Sequence, residues 1–482
     1  MGKKNNENKK IVITPITRIE GHAQVTIFLD EDDEVTNARF QVIDFRGFEK
    51  FSQGRMYYEM PLITSRACGI CPVSHILASA KACDAIVGVK PPETAIMLRR
   101  LVHMGQMIQS HALNFFHLSA PDLLLGMDSD PAERNIFGLI AKKPEIAMQG
   151  VKLRKFGQEI IEKVAGKRIH SADWVLPGGA KWPLRKESVD YLQSQLPEAL
   201  KIIQKTVEMF KNCLSEFEAE EVANFGDCPT RYLGLVTKDG GLEHYDGNIR
   251  IVDPSGKILE DQLDPAKYYE YIGEAVEPWS YMKFPYYKPL GYPEGDYRVG
   301  PLARLNVASH CGTPLADDEL KEFKKLGKGQ CVHSAFHYHY ARMVELLFCI
   351  ETAKRLLDDT EITSEWVTSK GSVNTFEGVG VAEAPRGTLI HHYTVDRNGI
   401  INWVNMIIAT EHNNSAYNKA VTQVAKKYVK AKKLEEGMLN RVEAVIRAFD
   451  PCLSCATHAV GSMPLEVKLV DHDGNQLDRK VR

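Results

Sequence analysis

Two short motifs at opposite ends of the chain carry residue types suited to holding a metal. One is Cys68-Gly69-Ile70-Cys71, preceded by Arg66 and followed by His75. The other is Cys452-Leu453-Ser454-Cys455, preceded by Asp450-Pro451 and followed by His458. Within a CxxC, a tight turn brings both side chains to one side, so the two sulfurs can point at one centre. Two such pairs supply a four-thiolate site for a soft metal. Structural zinc is the plainest use of four cysteines. Three features count against it. Zinc ribbons place their pairs within about 15–20 residues, whereas most of this chain lies between these two. The flanking Arg66, His75, Asp450 and His458 are groups with chemical uses. A chain of 482 residues also needs no small metal module to complete its core.

The elements that must position these cysteines are mainly helical. Leu98, Leu101, Met104 and Ile108 recur at helical spacing in a proline-free stretch, which predicts a helix over Thr94–His117 ending near Pro121-Asp122. A second helical region is predicted within Glu133–Val164, interrupted by Pro144. A third spans Tyr191–Glu221, with Leu192, Leu196, Leu200, Ile203, Val207, Phe210 and Leu214 as its buried stripe. Pro197 is expected to kink or begin it. Further helices are predicted over Ala335–Leu357, Ser415–Val429 and Glu435–Phe449, the last stopped by Pro451. Strands are predicted over Val25–Leu29 and Ala38–Ile43 around an acidic turn. A second hairpin, Gly387–Val395 with Ile400–Ile408, turns at Asn398-Gly399. Residues 224–310, rich in Gly, Pro and Tyr, read as an irregular mixed insertion with a strand at Asn248–Val252. His333 and His337 stand four apart, but without a third ligand they read as packing residues.

Composition narrows the partners. Lysine and arginine number 60 against 63 acidic residues, a net charge of −3, so nothing points to nucleic acid. No apolar run is long enough to span a membrane. The polar first ten residues lack the apolar core of a signal peptide and are expected to be frayed, which places the chain in the cytoplasm. The remaining cysteines, Cys83, Cys213, Cys228, Cys311, Cys331 and Cys349, form no further CxxC. They read as buried structural thiols, so no iron–sulfur cluster is expected in this chain.

The two cysteine motifs, together with Arg18-Ile19-Glu20-Gly21-His22, resemble the large subunit of nickel–iron hydrogenases, nearest to the cytoplasmic bidirectional, NAD-reducing type. The resemblance runs through Phe45-Arg46-Gly47-Phe48-Glu49-Lys50, Glu277-Pro278-Trp279-Ser280, Arg298-Val299-Gly300-Pro301-Leu302 and Ala384-Pro385-Arg386-Gly387. It covers nearly the whole chain. It implies an α+β, mainly helical fold, with a central bundle of long helices and small peripheral mixed sheets. Residues 1–458 would form one large domain, and 459–482 an extension cleaved on maturation.

The resemblance also implies the site. Nickel would be bound by all four sulfurs, Cys68 and Cys452 as terminal ligands and Cys71 and Cys455 as bridges to an iron carrying carbon monoxide and cyanide. Pro385 and Arg386 match the loop over the metals. Asp122 and Asp450 are the carboxylates that could hold the Arg386 guanidinium bidentately. Splitting dihydrogen needs a base. Arginine is a poor one because its pKa is so high, so the Cys452 thiolate is favoured over Arg386. Glu20 would be the first proton relay, although a capping carboxylate is its plainer reading. Glu49 and His458 match a magnesium site. The extension is expected to hold the second cysteine pair away from closure until metal arrives.

The implied partners are an iron–sulfur small subunit, flavin- and NAD-binding diaphorase subunits, a maturation endopeptidase and nickel-insertion proteins. Alternatives are an electron-bifurcating or deazaflavin-linked complex, and a zinc-stabilised interaction protein. A large subunit of a respiratory proton pump, which keeps the fold without the cysteines, is disfavoured by all four thiols.

Overall fold

The first cysteine pair leads straight into a helix. Pro72 occupies its first turn, where a missing N–H costs nothing, and the helix runs Pro72–Val87. It lies flat on a strand, Glu377–Ala384. Gly378 and Gly380 make this approach possible: a Cβ on Gly380 would come 1.9 Å from the Ala78 carbonyl oxygen. The sequence reading lacks this strand, because two glycines interrupt its apolar alternation. Paired with Gly387–Val395 and then Ile401–Ile407, it forms a three-stranded antiparallel sheet. The predicted hairpin turn is present, with Gly399 donating its N–H to the Asp396 carbonyl at 2.9 Å.

A computed structural model describes residues 9–457, 466–471 and 476–481. The fold is α+β and mainly helical, 48% helix against 19% strand, with small sheets around the helices. The long helices are Glu93–Ala112, Pro144–Ala165, Lys186–Leu214 and His337–Asp358. Their buried faces, with those of the flanking elements, share one apolar core that reaches from Ile16 to Ala456.

Two helix boundaries differ from expectation. The chain does not stop at Pro121. It widens to a π-helical turn over Leu113–Ser119 and restarts as Ala120–Leu125, with Pro121 in the tolerated first turn. The Lys186–Leu214 helix starts before Tyr191 and runs through Pro197. Pro197 sits on its exposed side, where water can reach the carbonyl left unbonded. The rest of the predicted span forms a separate short helix, Ala219–Asn224.

The 224–310 segment is more regular than expected. It builds a four-stranded sheet in the order Tyr297–Arg298, Arg231–Val236, Asn248–Val252, Ile258–Leu263, and a two-stranded pair, Ile272–Ala275 with Phe284–Tyr287. Leu233, Leu235, Ile249 and Ile251 pack against Val381, Ile390 and Ile407 of the three-stranded sheet. The segment then enters a short helix, Pro301–Val307.

Near the C-terminus, the Glu436–Phe449 helix ends in Asp450, whose φ of 62° turns the chain towards Cys452. Farther on, Glu466–Val470 pairs antiparallel with Gln476–Val481. Of the frayed start expected over the first ten residues, 1–8 lie outside the described residues, as does His458, while Lys10 opens a strand, Lys10–Ile13, paired with Ala23–Leu29. Among the described residues, no helix is long and apolar enough to cross a membrane.

Candidate metal centre

The four sulfurs of Cys68, Cys71, Cys452 and Cys455 lie within 4.8 Å of one another, all buried. Cys68 Sγ is 3.2 Å from Cys452 Sγ, Cys71 Sγ is 3.6 Å from Cys455 Sγ, and within the second pair the sulfurs are 3.0 Å apart. Two ends of the chain, 384 positions apart, meet at one point.

Local structure on each side explains the convergence. In the first pair, the N–H groups of Ile70 and Cys71 donate to Cys68 Sγ at 3.2 and 3.1 Å, which fixes the turn. Gln106 and Gln109, from the Glu93–Ala112 helix, both donate to the Ile70 carbonyl. In the second pair, Cys452 N–H donates to Thr410 Oγ1 at 3.0 Å. Glu20 forms a parallel backbone bridge with Cys452, and Leu453 N–H donates to the Glu20 carbonyl at 3.1 Å. Gly21 must be glycine here. Its φ is +84°, and a Cβ would come 2.6 Å from Leu453 Cβ.

Arg46 ties the two ends together. Its guanidinium donates to the Ala67 carbonyl at 2.6 Å, and to the Arg66 and Ser454 carbonyls at 3.3 Å each. Its backbone N–H and that of Gly47 donate to the Thr457 carbonyl at 2.7 and 3.2 Å. Sequence reasoning assigned no role to Arg46, Thr410, Gln106 or Gln109. Only Arg46 carried a signal, its place in a matched motif.

Arg386 is buried near the sulfurs. Burial works against its cation, but Asp450 and the sulfurs of Cys452, Cys71 and Cys68 outweigh it and hold the guanidinium charged. Asp450 Oδ1 accepts from Nη2 at 3.2 Å, while Nε and Nη1 are buried with no hydrogen-bond partner. The bidentate hold on Arg386 is therefore a single contact. Asp122 takes no part in it. Arg18 and Arg447 occupy its carboxylate, with Asn440 donating at 3.1 Å. The π-helical turn before Asp122 sets where its carboxylate falls, a geometry that spacing alone does not reveal. Pro385 contributes its carbonyl to Arg304 Nη2 at 3.2 Å.

The sulfurs differ in their hold on protons. Burial and the neighbouring Cys455, Cys68 and Cys71 push the Cys452 thiol well up. Burial also acts on Cys68, but hydrogen bonds from Cys452, Cys455 and Cys71 outweigh it and pull this thiol down. A second negative sulfur beside the first is costly in a dry site. Four clustered soft donors near one arginine therefore fit a soft dication. The orphaned Arg386 donors fit small anionic ligands on it.

Glu20 is half-buried, with Oε2 accepting from Ser454 N–H at 3.0 Å. Glu49 Oε1 accepts from Met406 N–H at 3.0 Å and stands 3.3 Å from Lys283 Nζ. Lys283 also meets Glu274 at 2.7 Å. Burial lowers its pKa, but Glu411, Glu274 and Glu49 outweigh this and raise it. In this structure the Lys283 ammonium is the cation that Glu49 and Glu274 hold. His333 stacks on Tyr232, and His337 and His339 are buried in their helix. Among the described residues, the four cysteines are the one cluster of metal-ligating groups.

Comparison with known proteins gives the same reading. A family model described as nickel-dependent hydrogenase matches residues 46–135 and 253–458, and one described as HoxL-like matches 10–45. The beta subunit of the NAD-reducing hydrogenase HoxS of Cupriavidus necator is 42% identical, covering 98% of this chain and all of that protein. One subunit of the F420-non-reducing hydrogenase vhu of Methanocaldococcus jannaschii is 47% identical, covering 86% of this chain and 98% of that one. The solved structure of an NAD+-reducing [NiFe]-hydrogenase in the H2-reduced state superposes with a TM-score of 0.91 at 47% identity, over 94% of this chain and all of that one. The chain thus belongs to the nickel-dependent hydrogenases, as a large subunit.

Proposed function

We propose that this chain is the catalytic subunit of a cytoplasmic hydrogenase that cleaves dihydrogen heterolytically and reversibly, and delivers the electrons to NAD. The observation that carries the reading is the convergence of four buried sulfurs near Arg386. Cys68 and Cys452 would hold nickel terminally, and Cys71 and Cys455 would bridge it to iron. When bound, the metal pair with its carbon monoxide and cyanide supplies the hydride acceptor. Arg386 Nε and Nη1, buried without partners, would donate to the cyanide. Cys452 Sγ would accept the proton, and Glu20, whose backbone bridges Cys452 and whose carboxylate meets Ser454 N–H, would pass it outwards. Glu49, with His458, would hold magnesium.

The expected absence of an iron–sulfur cluster in this chain makes an iron–sulfur small subunit the first electron acceptor, with diaphorase subunits beyond it. Cleavage after His458 by an endopeptidase, following nickel insertion, is supported by the family match ending at residue 458. Residues 1–458 would then be the mature domain. A second reading, delivery to an acceptor other than NAD, draws on the 47% identity to an F420-non-reducing archaeal subunit. Family membership sets the zinc-protein reading aside.

The test uses the complex purified with its small subunit and its diaphorase subunits. Incubation with D2 in H2O should yield HD, and H2 should reduce NAD+. HD without NAD+ reduction favours the second acceptor, and absence of HD removes the catalytic assignment.

A further inference from the structure

We propose that Arg304 is a positioning residue for Arg386, an assignment that rests on the hydrogenase reading above. Arg304 is wholly buried on the short helix Pro301–Val307. Its guanidinium donates to three consecutive residues that lead into Arg386. Nη1 reaches Glu383 Oε2 at 2.8 Å and the Ala384 carbonyl at 2.9 Å, and Nη2 reaches the Pro385 carbonyl at 3.2 Å. The other edge of the fork is clamped by Glu345, at 2.5 and 2.7 Å. Glu345 is itself anchored by His111 at 2.8 Å, from the Glu93–Ala112 helix.

The same helix touches the other side of the turn. The Arg386 carbonyl packs so closely on Gly300 that a Cβ there would come within 2.7 Å of it. Arg304 N–H donates to the Gly300 carbonyl at 2.8 Å, one turn along. One short helix thus grips both flanks of Arg386.

Arg386 cannot hold its own direction. It has one charged contact, Asp450 at 3.2 Å, and two buried donors without partners. Donors in that condition keep a fixed aim only if the backbone beneath them is fixed, and Arg304 supplies that constraint. A lysine would retain the charge between Glu345 and Glu383 but not the planar fork that reaches four groups at once.

The variant to make is Arg304→Lys, purified in the full complex. Nickel and iron content should match the unaltered protein. The cyanide infrared bands should shift and broaden, and H2-dependent turnover should fall about 10- to 100-fold, the scale of a misplacement near 1 Å. Arg99→Lys is the control. Arg99 is an equally buried arginine paired with Asp84 at the far end of the Pro72–Val87 helix, and its loss should leave the cyanide bands in place. Metal-loaded Arg304→Lys protein with unshifted, unbroadened bands overturns the proposal. So does an equal displacement in Arg99→Lys, since the role would then be structural only. If Arg304→Lys does not accumulate, Glu345→Gln loosens the fork while keeping Arg304, and the same band positions decide. Missing carbon monoxide and cyanide bands in the unaltered complex would instead overturn the hydrogenase reading itself.

Discussion

Ser454 donates its backbone N–H to Glu20 Oε2 at 3.0 Å, across 434 positions of the chain. In the proposed mechanism this one carboxylate would have two tasks, holding the second cysteine pair and carrying a proton. The two can be separated. Glu20→Gln keeps an acceptor for Ser454 but has no exchangeable acid. It should retain nickel and iron while H2 turnover falls by about 10²- to 10⁴-fold, the usual worth of a positioned acid or base. Glu20→Ala should in addition lose metal. Metal analysis beside an H2-uptake assay distinguishes them, and a Glu20→Gln enzyme of ordinary activity would remove Glu20 from the proton path.

Arg46 spans both cysteine motifs through side-chain bonds to the Arg66, Ala67 and Ser454 carbonyls. Hydrogen bonds from a charged donor contribute about 1.5–3 kcal/mol each when buried. Arg46 is exposed, so the net effect should fall below that range. Arg46→Ala is expected to release nickel to a chelator about tenfold faster, with the helical content unchanged by circular dichroism. An unchanged release rate would show that the two ends need no external clamp.

Buried histidines set the acid limit of the fold. Burial lowers His103 and His412 to about 3 and His111 to about 4, against an ordinary 6.5. The folded chain keeps these rings neutral, while the unfolded chain protonates them below pH 6.5. Stability from these rings is therefore full above pH 6.5 and declines as pH falls through 6.5 towards 3 and 4. The loss is on the order of 2 kcal/mol per ring at pH 5. Denaturant midpoints measured at pH 7 and pH 5 check this. Equal midpoints would mean that the rings take up protons in the folded state.

The extension should be absent from active protein. Mass spectrometry of the active complex is expected to show a large subunit ending at His458. Full activity from a chain carrying residues 459–482 would defeat this expectation.

The meeting of the four cysteines was legible from the two CxxC motifs, whereas Glu20 and Arg386 were singled out only through the family resemblance of the motifs they stand in. The Lys186–Leu214 helix was legible because its apolar stripe repeats every three to four residues. What escaped is held by distance in sequence. Glu383, Arg304 and Glu345 form one buried network from three separate elements, and no local pattern connects them. Asp122 was paired with the wrong arginine for the same reason, since Arg18 and Arg447 reach it from opposite ends of the chain. The Glu377–Ala384 strand was hidden by the glycines that let a helix lie on it.

The central claim is that sulfurs from both ends of the chain bind one nickel. Nickel-edge X-ray absorption of the purified, active complex tests it most directly. The account predicts a coordination shell dominated by sulfur with an iron neighbour, and loss of nickel in both Cys68→Ala and Cys452→Ala. A shell of nitrogen and oxygen, or nickel retained in either variant, would contradict it.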